Sequence, residues 1–304
     1  MGPLFLTGAT GFVGRRFLER LPAGLTSEIR CLTRNPADAA VPLADIPGLR
    51  VVHGDLTTPA SWTSQLAGCE GVLHLAAVTG KARSGAFRAV NVEATRGLAE
   101  RARASGVRRF IFVSSIAAGF ADQRGYPYAA SKSEAEKIVL AAGLDTLVIR
   151  PTMVLGPGSP VLAGLRRIAG APLGMVFGSG RVPVQPIHRD DLVDMLISAV
   201  SLDPLGGRTV EVGGPETLEL VDLLRRIRRG TAKRGGPLLH LPLGLIRALL
   251  STLEPAMFNL LPFTAGQLAS FANPSVARTD PFARLLCQPS RSIDEMISNP
   301  TPYG

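Results

Sequence analysis

Along its first half the chain alternates short apolar runs with longer segments whose apolar positions recur at helical spacing. The runs cover Pro3 to Leu6, Ile29 to Leu32, Arg50 to His53, Gly71 to Leu75, Arg109 to Val113 and Thr146 to Ile149. Near-continuous apolar runs of this length suit strands buried on both faces, so they predict successive strands of a parallel sheet. Between them lie predicted helices over Phe12 to Leu21, Ser84 to Ala104 and Ser131 to Ala142, several ending near a glycine able to terminate them. Right-handed helical crossovers between such strands give an α/β, doubly wound parallel sheet with its ligand crevice at the carboxyl ends of the strands.

After Arg150-Pro151 the rhythm becomes irregular. Gly156-Pro157-Gly158 opens a stretch rich in glycine and proline, helices are expected near Asp190 to Ser201 and Glu219 to Arg229, and Arg208 to Val212 reads as one more short strand. The expected division is a sheet domain over 1–150 and a smaller covering region over 151–304, partly interleaved with the sheet.

Composition narrows this picture. The chain has 304 residues, 46% hydrophobic, enough to bury a substantial core. Its 33 Lys and Arg against 24 Asp and Glu give a net charge of +9, which suits an anionic partner such as a phosphorylated cofactor or a membrane surface. Aromatics are only 5%, with no zinc-finger spacing and no long basic tail, so no nucleic-acid partner is expected. Cys31, Cys69 and Cys287 stand far apart, which argues against a disulfide scaffold and against a metal site. The amino terminus runs directly into an apolar strand, without the layout of a signal peptide. The most apolar stretch, Leu238 to Phe263, is interrupted by Pro242, Arg247, Glu254, Pro255 and Pro262, so it does not read as a bilayer span. A cytoplasmic protein is expected, with peripheral membrane attachment as the alternative.

The first candidate chemistry follows the first strand, in Thr7-Gly8-Ala9-Thr10-Gly11-Phe12-Val13-Gly14. A dinucleotide site needs glycines at this spacing. The first allows the tight turn, the second lets backbone approach the pyrophosphate, and the third lets helix and strand pack closely. At the end of the second strand an acidic residue would bond a ribose 2′-hydroxyl, and a basic one would pair with a 2′-phosphate. Here Arg34 stands in Cys31-Leu32-Thr33-Arg34-Asn35-Pro36, with no carboxylate, which favours NADP(H) over NAD(H). The alternative is a solvated arginine in a polar loop.

Taken with Gly54-Asp55-Leu56, His74-Leu75-Ala76-Ala77, Ser114-Ser115 and Tyr128-Ala-Ala-Ser-Lys132, in that order, this turn resembles the extended and atypical short-chain dehydrogenase/reductases over nearly the whole chain. The resemblance implies a Rossmann fold. It implies that Asp55 and Leu56 flank the adenine and that Leu75, Ala76 and Ala77 line the nicotinamide side of the groove. It also puts Asn91 near the cofactor, the alternative being a helix-surface amide. His74 is read as a buried strand residue. Pro215-Glu216, Leu261-Pro262-Phe263-Thr264 and Gln267 look most like the atypical branch that includes accessory subunits of respiratory complex I.

Carbonyl reduction leaves negative charge on oxygen, so a site must supply a proton and polarising hydrogen bonds. Tyr128 can supply the proton. A phenol titrates near pH ~10, and a nearby ammonium lowers that value by stabilising the phenolate. Lys132 lies one helical turn after Tyr128, on the same face, and so can reach both the phenol and the nicotinamide ribose. Ser115 can orient the substrate oxygen, and the resemblance favours it over Ser114. No G-x-S-x-G elbow surrounds it, which leaves a hydrolase reading poorly supported.

In the nucleotide-sugar enzymes of this superfamily an asparagine commonly stands where Met153 is found, so a nucleotide-linked substrate is not expected. His188-Arg189-Asp190-Asp191-Leu192 resembles a turn into a helix, with Asp190 or Asp191 capping free amides. Arg225, Arg226, Arg228 and Arg229, with Lys233 and Arg234 beyond, complement a helix carboxyl end. Beside the apolar segment Leu238 to Leu250 they offer an alternative contact with anionic lipid. The leading expectation is an NADP(H)-dependent oxidoreductase interconverting a carbonyl and an alcohol on a small molecule. The alternatives are an NAD-dependent sugar epimerase or dehydratase, and an NADPH-binding structural or assembly protein of a membrane complex.

Overall fold

Seven parallel strands form the centre of the molecule. In the computed structural model, which describes residues 1–35, 46–171, 174–230, 238–261 and 263–298, the first six are β1 (Leu4–Thr7), β2 (Ile29–Thr33), β3 (Leu49–His53), β4 (Gly71–His74), β5 (Arg109–Val113) and β6 (Asp145–Pro151). With β11 (Arg208–Val212) they stand in the order β11-β6-β5-β4-β1-β2-β3. The order reverses between β1 and its neighbours β2 and β4, which places the ligand crevice at the carboxyl ends of β1 and β4.

Alternation along the strands sorts the core into two layers. Leu4, Leu6, Leu73, Ile111, Leu147 and Ile149 face α1 (Phe12–Arg20) and α5 (Arg189–Ser201), packing on Phe17, Leu18, Leu192 and Leu196. Phe5, Val72, Phe110, Phe112 and Val148 face the opposite way. They meet Leu98 and Ala102 of α2 (84–104) and Ala135 and Val139 of α3 (Pro127–Ala141). Each such fully buried Leu or Phe contributes roughly 2 kcal/mol of transfer free energy.

The expected strands and helices form, with shifted ends. α3 begins at Pro127 rather than Ser131, because proline suits the first helical turn. Within α2 the segment Phe87–Ala94 is wound as a π-helix, a departure that periodicity does not reveal. The strand read at Arg208 to Val212 pairs with β6 at the sheet edge.

The rest of the second half packs beside the crevice. It comprises β7 (Val154–Leu155), α4 (Pro160–Gly170), β8 (Gly174–Phe177), β9 (Pro183–Val184), β10 (Ile187–His188), β12 (Leu218–Glu219), α6 (Leu220–Arg229), β13 (Leu238–Leu241), α7 (Leu243–Met257) and α8 (Ile293–Ser298). α4, α6 and α8 share a core of Leu162, Leu165, Leu223, Ile227 and Met296. α7 joins a separate cluster through Leu250 and Ile246, which pack with Phe177 and Leu268. None of the described helices is long and apolar enough to cross a membrane.

Candidate active site

β1 ends at Thr7, and the chain turns through Gly8 at φ +77°, a conformation L side chains rarely adopt. The Gly11 amide donates to the Gly8 carbonyl oxygen at 3.0 Å, and Thr10 and Gly11 lead into α1, whose first turn holds Phe12, Val13 and Gly14. A Cβ on Gly8 would stand 2.6 Å from the Ala76 amide nitrogen, and one on Gly14 only 2.1 Å from the Gly8 carbonyl oxygen. Turn, helix and β4 loop therefore fit together only with glycine here. α1 carries neither a side-chain cap nor an acidic residue in its first turn, so its positive end faces the turn uncompensated. Arg189 adds a cation that the sequence reading did not single out. Its guanidinium lies 5.0 Å from the centroid of the Phe12 ring and donates to the Pro157 carbonyl oxygen at 2.9 Å.

At the far end of the crevice Arg34 follows β2 with its side chain exposed, and its carbonyl oxygen pairs with His53 Nε2 at 2.9 Å. Asp55 accepts from the Thr57 hydroxyl at 2.6 Å and the Thr57 amide at 2.8 Å. These bonds, and then the charge of Arg34, hold its carboxyl below the usual range. Leu56 beside it is buried. Pro36 and the residues to 45 lie outside the described residues.

Leu75, Ala76 and Ala77 continue β4 half-buried. The Leu75 amide donates to the Thr7 carbonyl oxygen at 3.1 Å, and the Ala76 amide to Thr7 Oγ1 at 3.3 Å. Thr7 Oγ1 also pairs with His74 Nδ1 at 2.6 Å, while His74 Nε2 pairs with Thr95 Oγ1 at 2.8 Å. His74 is fully buried, and burial, with the nearby Lys132 charge, pushes its pKa down to about 3. A neutral imidazole thus braces the β1 and β4 ends. Asn91 is buried too, which removes the surface-amide reading. Its Oδ1 accepts from the Val78 amide at 2.8 Å, and its Nδ2 donates to the Val78 carbonyl oxygen and to Ser131 Oγ, both at 3.0 Å. The π-wound turn therefore clamps the β4 loop to α3.

Ser115, Tyr128 and Lys132 come together where β5 meets α3. Ser115 caps a short 3-10 turn, accepting from the Ala117 amide at 3.2 Å, and its hydroxyl lies close enough to the Tyr128 phenol to act on its pKa. Burial raises the Tyr128 pKa, and the nearby Ser115 hydroxyl draws it back down. The ring is held edge-on to Phe87 at 6.1 Å and tilted to Tyr126 at 5.9 Å. Lys132 is buried one turn later. Its Nζ donates to the Val113 carbonyl oxygen at 2.8 Å and lies 4.1 Å from the Phe112 ring centroid. Burial brings its pKa down to about 7, opposed by the charge of Glu136. Ser114, the neighbour that the resemblance disfavoured, is buried with no hydrogen-bond partner for its hydroxyl among the described residues.

A cavity of about 450 Å³ opens at Tyr128. Its walls include Arg83, Phe87 and Tyr126 from the sheet side, and Glu254, Phe258 and Gln267 from the second half. Sequence reading singled out Gln267 only through resemblance, and the other wall residues carried no motif. Behind the site Arg150 on β6 donates to both carboxylate oxygens of Glu136, at 2.9 and 2.6 Å, and reaches Glu211 at 3.3 Å. Arg278, its own side chain exposed, ends this row on Glu211 at 2.7 Å.

Asp190 and Asp191 do not cap α5. His188 does, its Nδ1 accepting from the Asp190 amide at 3.0 Å. Both carboxylates instead meet arginines distant in sequence. Arg16 donates to Asp190 at 2.9 and 2.8 Å, and Arg291 pairs with Asp191. Charge pairing across α1, α5 and the carboxyl-terminal segment outcompetes a local cap.

A family model described as the NAD dependent epimerase/dehydratase family matches residues 4–213. The chain is 33% identical to a ceramide reductase of Caulobacter vibrioides over 205 residues, 67% of this chain and 63% of that protein, so the match spans under two thirds of the relative. It is 27% identical to a UDP-glucose 4-epimerase of Vibrio cholerae over 243 residues, 74% of each chain. The crystal structure of MoeE5 with UDP-glucuronic acid and NAD shares the fold, with a TM-score of 0.75 at 22% identity over 98% of this chain and 97% of that one. The fold and the match define an NAD(P)-dependent enzyme of the extended short-chain dehydrogenase/reductase type. The chain belongs to the NAD dependent epimerase/dehydratase family.

The residues present fit a nicotinamide dinucleotide. The glycine turn admits close backbone approach, the uncapped amino end of α1 and Arg189 offer donors and positive charge to phosphates, and Lys132 stands buried at the opposite end of the crevice.

Proposed function

We propose that the protein is an NADP(H)-dependent oxidoreductase interconverting a carbonyl and an alcohol on a small molecule that carries no nucleotide. The observation that carries this reading is the grouping where β5 meets α3: Tyr128 on the cavity wall, the Ser115 hydroxyl close to its phenol, and Lys132 buried one turn behind it. The bound dinucleotide supplies or accepts the hydride. Ser115 and Tyr128 hydrogen-bond the substrate oxygen, and in reduction Tyr128 Oη gives it the proton. The Lys132 ammonium favours the phenolate that this leaves, lowering the cost of the transfer. Gly8, Thr10, Gly11, Phe12, Val13 and Gly14 serve the phosphates, Asp55 and Leu56 the adenine, and Leu75, Ala76 and Ala77 the nicotinamide. Asn91 holds the last of these segments in place.

Arg34 supports a 2′-phosphate, since its side chain is exposed at the β2 end, where a guanidinium suits that group. Apolar cavity walls such as Phe87 and Phe258, and Met153 in place of an amide, support a substrate less polar than a sugar nucleotide. The likeness to a ceramide reductase supports the same choice. A second reading, a sugar-nucleotide epimerase or dehydratase that retains NAD, rests on the likeness to UDP-glucose 4-epimerase. Parallel titration with NADPH and NADH, followed by a carbonyl panel with the tighter cofactor, separates the two. Tighter NADPH binding and net cofactor consumption with a ketone support the first. Tighter NADH binding and turnover of a UDP-sugar without net consumption overturn it.

A further inference from the structure

We infer that the outer face of α7 is a docking surface for an anionic lipid bilayer. The inner face of this helix is satisfied, with Leu250 buried against Phe177 and Leu268. The outer face is open to water. Leu245 is 67% exposed and Leu249 52%, with Leu260 just past the helix at 78% and Leu239 just before it at 50%. Ala248, Thr252 and Ala256 are exposed among them, so no charged side chain interrupts the face. The two charged residues of α7 are turned aside: Arg247 donates to the Arg124 carbonyl oxygen, and Glu254 accepts from the Ala265 amide at 3.1 Å. Exposed apolar side chains along one helix face mark an interaction surface.

The charges at its rim identify the occupant. Lys81 and Arg83 stand 5.0 and 5.3 Å from the Phe258 ring centroid at the carboxyl end of α7, and Lys81 Nζ donates to the carbonyl oxygens of Asn259 and Leu261, on either side of Leu260. Glu254, the acidic residue of α7, is engaged as above. The chain as a whole carries +9. Apolar side chains on one face with cations at the edges match a helix lying at the headgroup boundary of an anionic membrane. The sequence places the lipid contact instead at Arg225, Arg226, Arg228 and Arg229, beside Leu238 to Leu250. Arg225 pairs with Asp222 at 2.8 Å and Arg226 with Glu216 at 2.5 Å, and Lys233 and Arg234 lie outside the described residues. Ser251, Glu254 and Phe258 of the same helix wall the cavity at Tyr128, so docking sets that cavity beside the lipid phase.

The test is co-sedimentation of the full chain with vesicles rich in phosphatidylglycerol and, separately, with phosphatidylcholine alone. The expected result is at least about ten-fold more protein on the anionic vesicles, falling as salt is raised. The variant with Leu245→Asp and Leu249→Asp should lose that binding while keeping wild-type dinucleotide affinity. If the aspartates unfold the helix, Leu245→Ser with Leu249→Ser carries the same comparison. Absence of vesicle binding, equal binding by the variants, or a wild-type dimer that the variants dissolve without any lipid effect would overturn the assignment, the last giving the face to a second copy of the chain.

Discussion

Lys132 Nζ donates to the Val113 carbonyl oxygen at 2.8 Å, which ties the buried cation of α3 to the carboxyl end of β5 behind Tyr128. Its pKa of about 7 lies below the ordinary 10.5, so between those values the unfolded chain holds a proton that the folded chain has shed. Stability therefore rises with pH across that window, and the buried ammonium costs most below pH 7. Lys132→Met should lower kcat at least about 100-fold. Urea melts at pH 6 should find the variant no less stable than wild type, with its relative advantage shrinking by pH 9.

Glu136 sits one turn beyond Lys132 and raises its pKa. Glu136→Gln should lower the pH at which Lys132 loses its proton. The alkaline limb of the reductive pH–rate profile then moves to lower pH, which a merely structural residue would not cause. Arg150 would keep only Glu211, at 3.3 Å, so breaking the buried pair should also cost about 3 kcal/mol in a denaturant melt.

His74 is depressed to about 3 from an ordinary 6.5, so the unfolded chain binds the extra proton between those values. Stability is lost as pH falls through the window, with this residue contributing a slope of up to about 1.4 kcal/mol per pH unit. His74→Gln, which can still bond Thr7 and Thr95, should flatten the slope by that amount in melts between pH 4.5 and 6.5.

Gly14→Ala would put a methyl 2.1 Å from the Gly8 carbonyl oxygen, with backbone on both sides of the contact. The turn and α1 must separate to admit it. Calorimetry should show a loss of about 1–3 kcal/mol in stability and a larger proportional loss of dinucleotide affinity.

Periodicity made the sheet legible, since Leu4, Phe5 and Leu6 alternate between two buried layers and only a parallel sheet needs both. The glycine turn was legible because backbone geometry forces the residue type at Gly8 and Gly14. What stayed hidden depends on partners remote in sequence. Asp190 read as a local cap, yet its partner Arg16 lies 174 residues away. The π-winding over Phe87–Ala94 leaves no compositional mark, although the buried Asn91 lies within it. The stretch holding α7 read as broken by prolines and charges, yet Leu243–Met257 forms one helix, with Pro242 at its amino-terminal cap and Pro255 near its carboxyl end.

The proposed reduction turns on the Tyr128 phenol as the proton donor. The most direct measurement is stopped-flow loss of reduced nicotinamide absorbance, with wild type and Tyr128→Phe, on a ketone that the wild type reduces. The expected result is unchanged NADPH affinity and a single-turnover rate at least about 100-fold lower in the variant. A variant that reduces the ketone at the wild-type rate would contradict it.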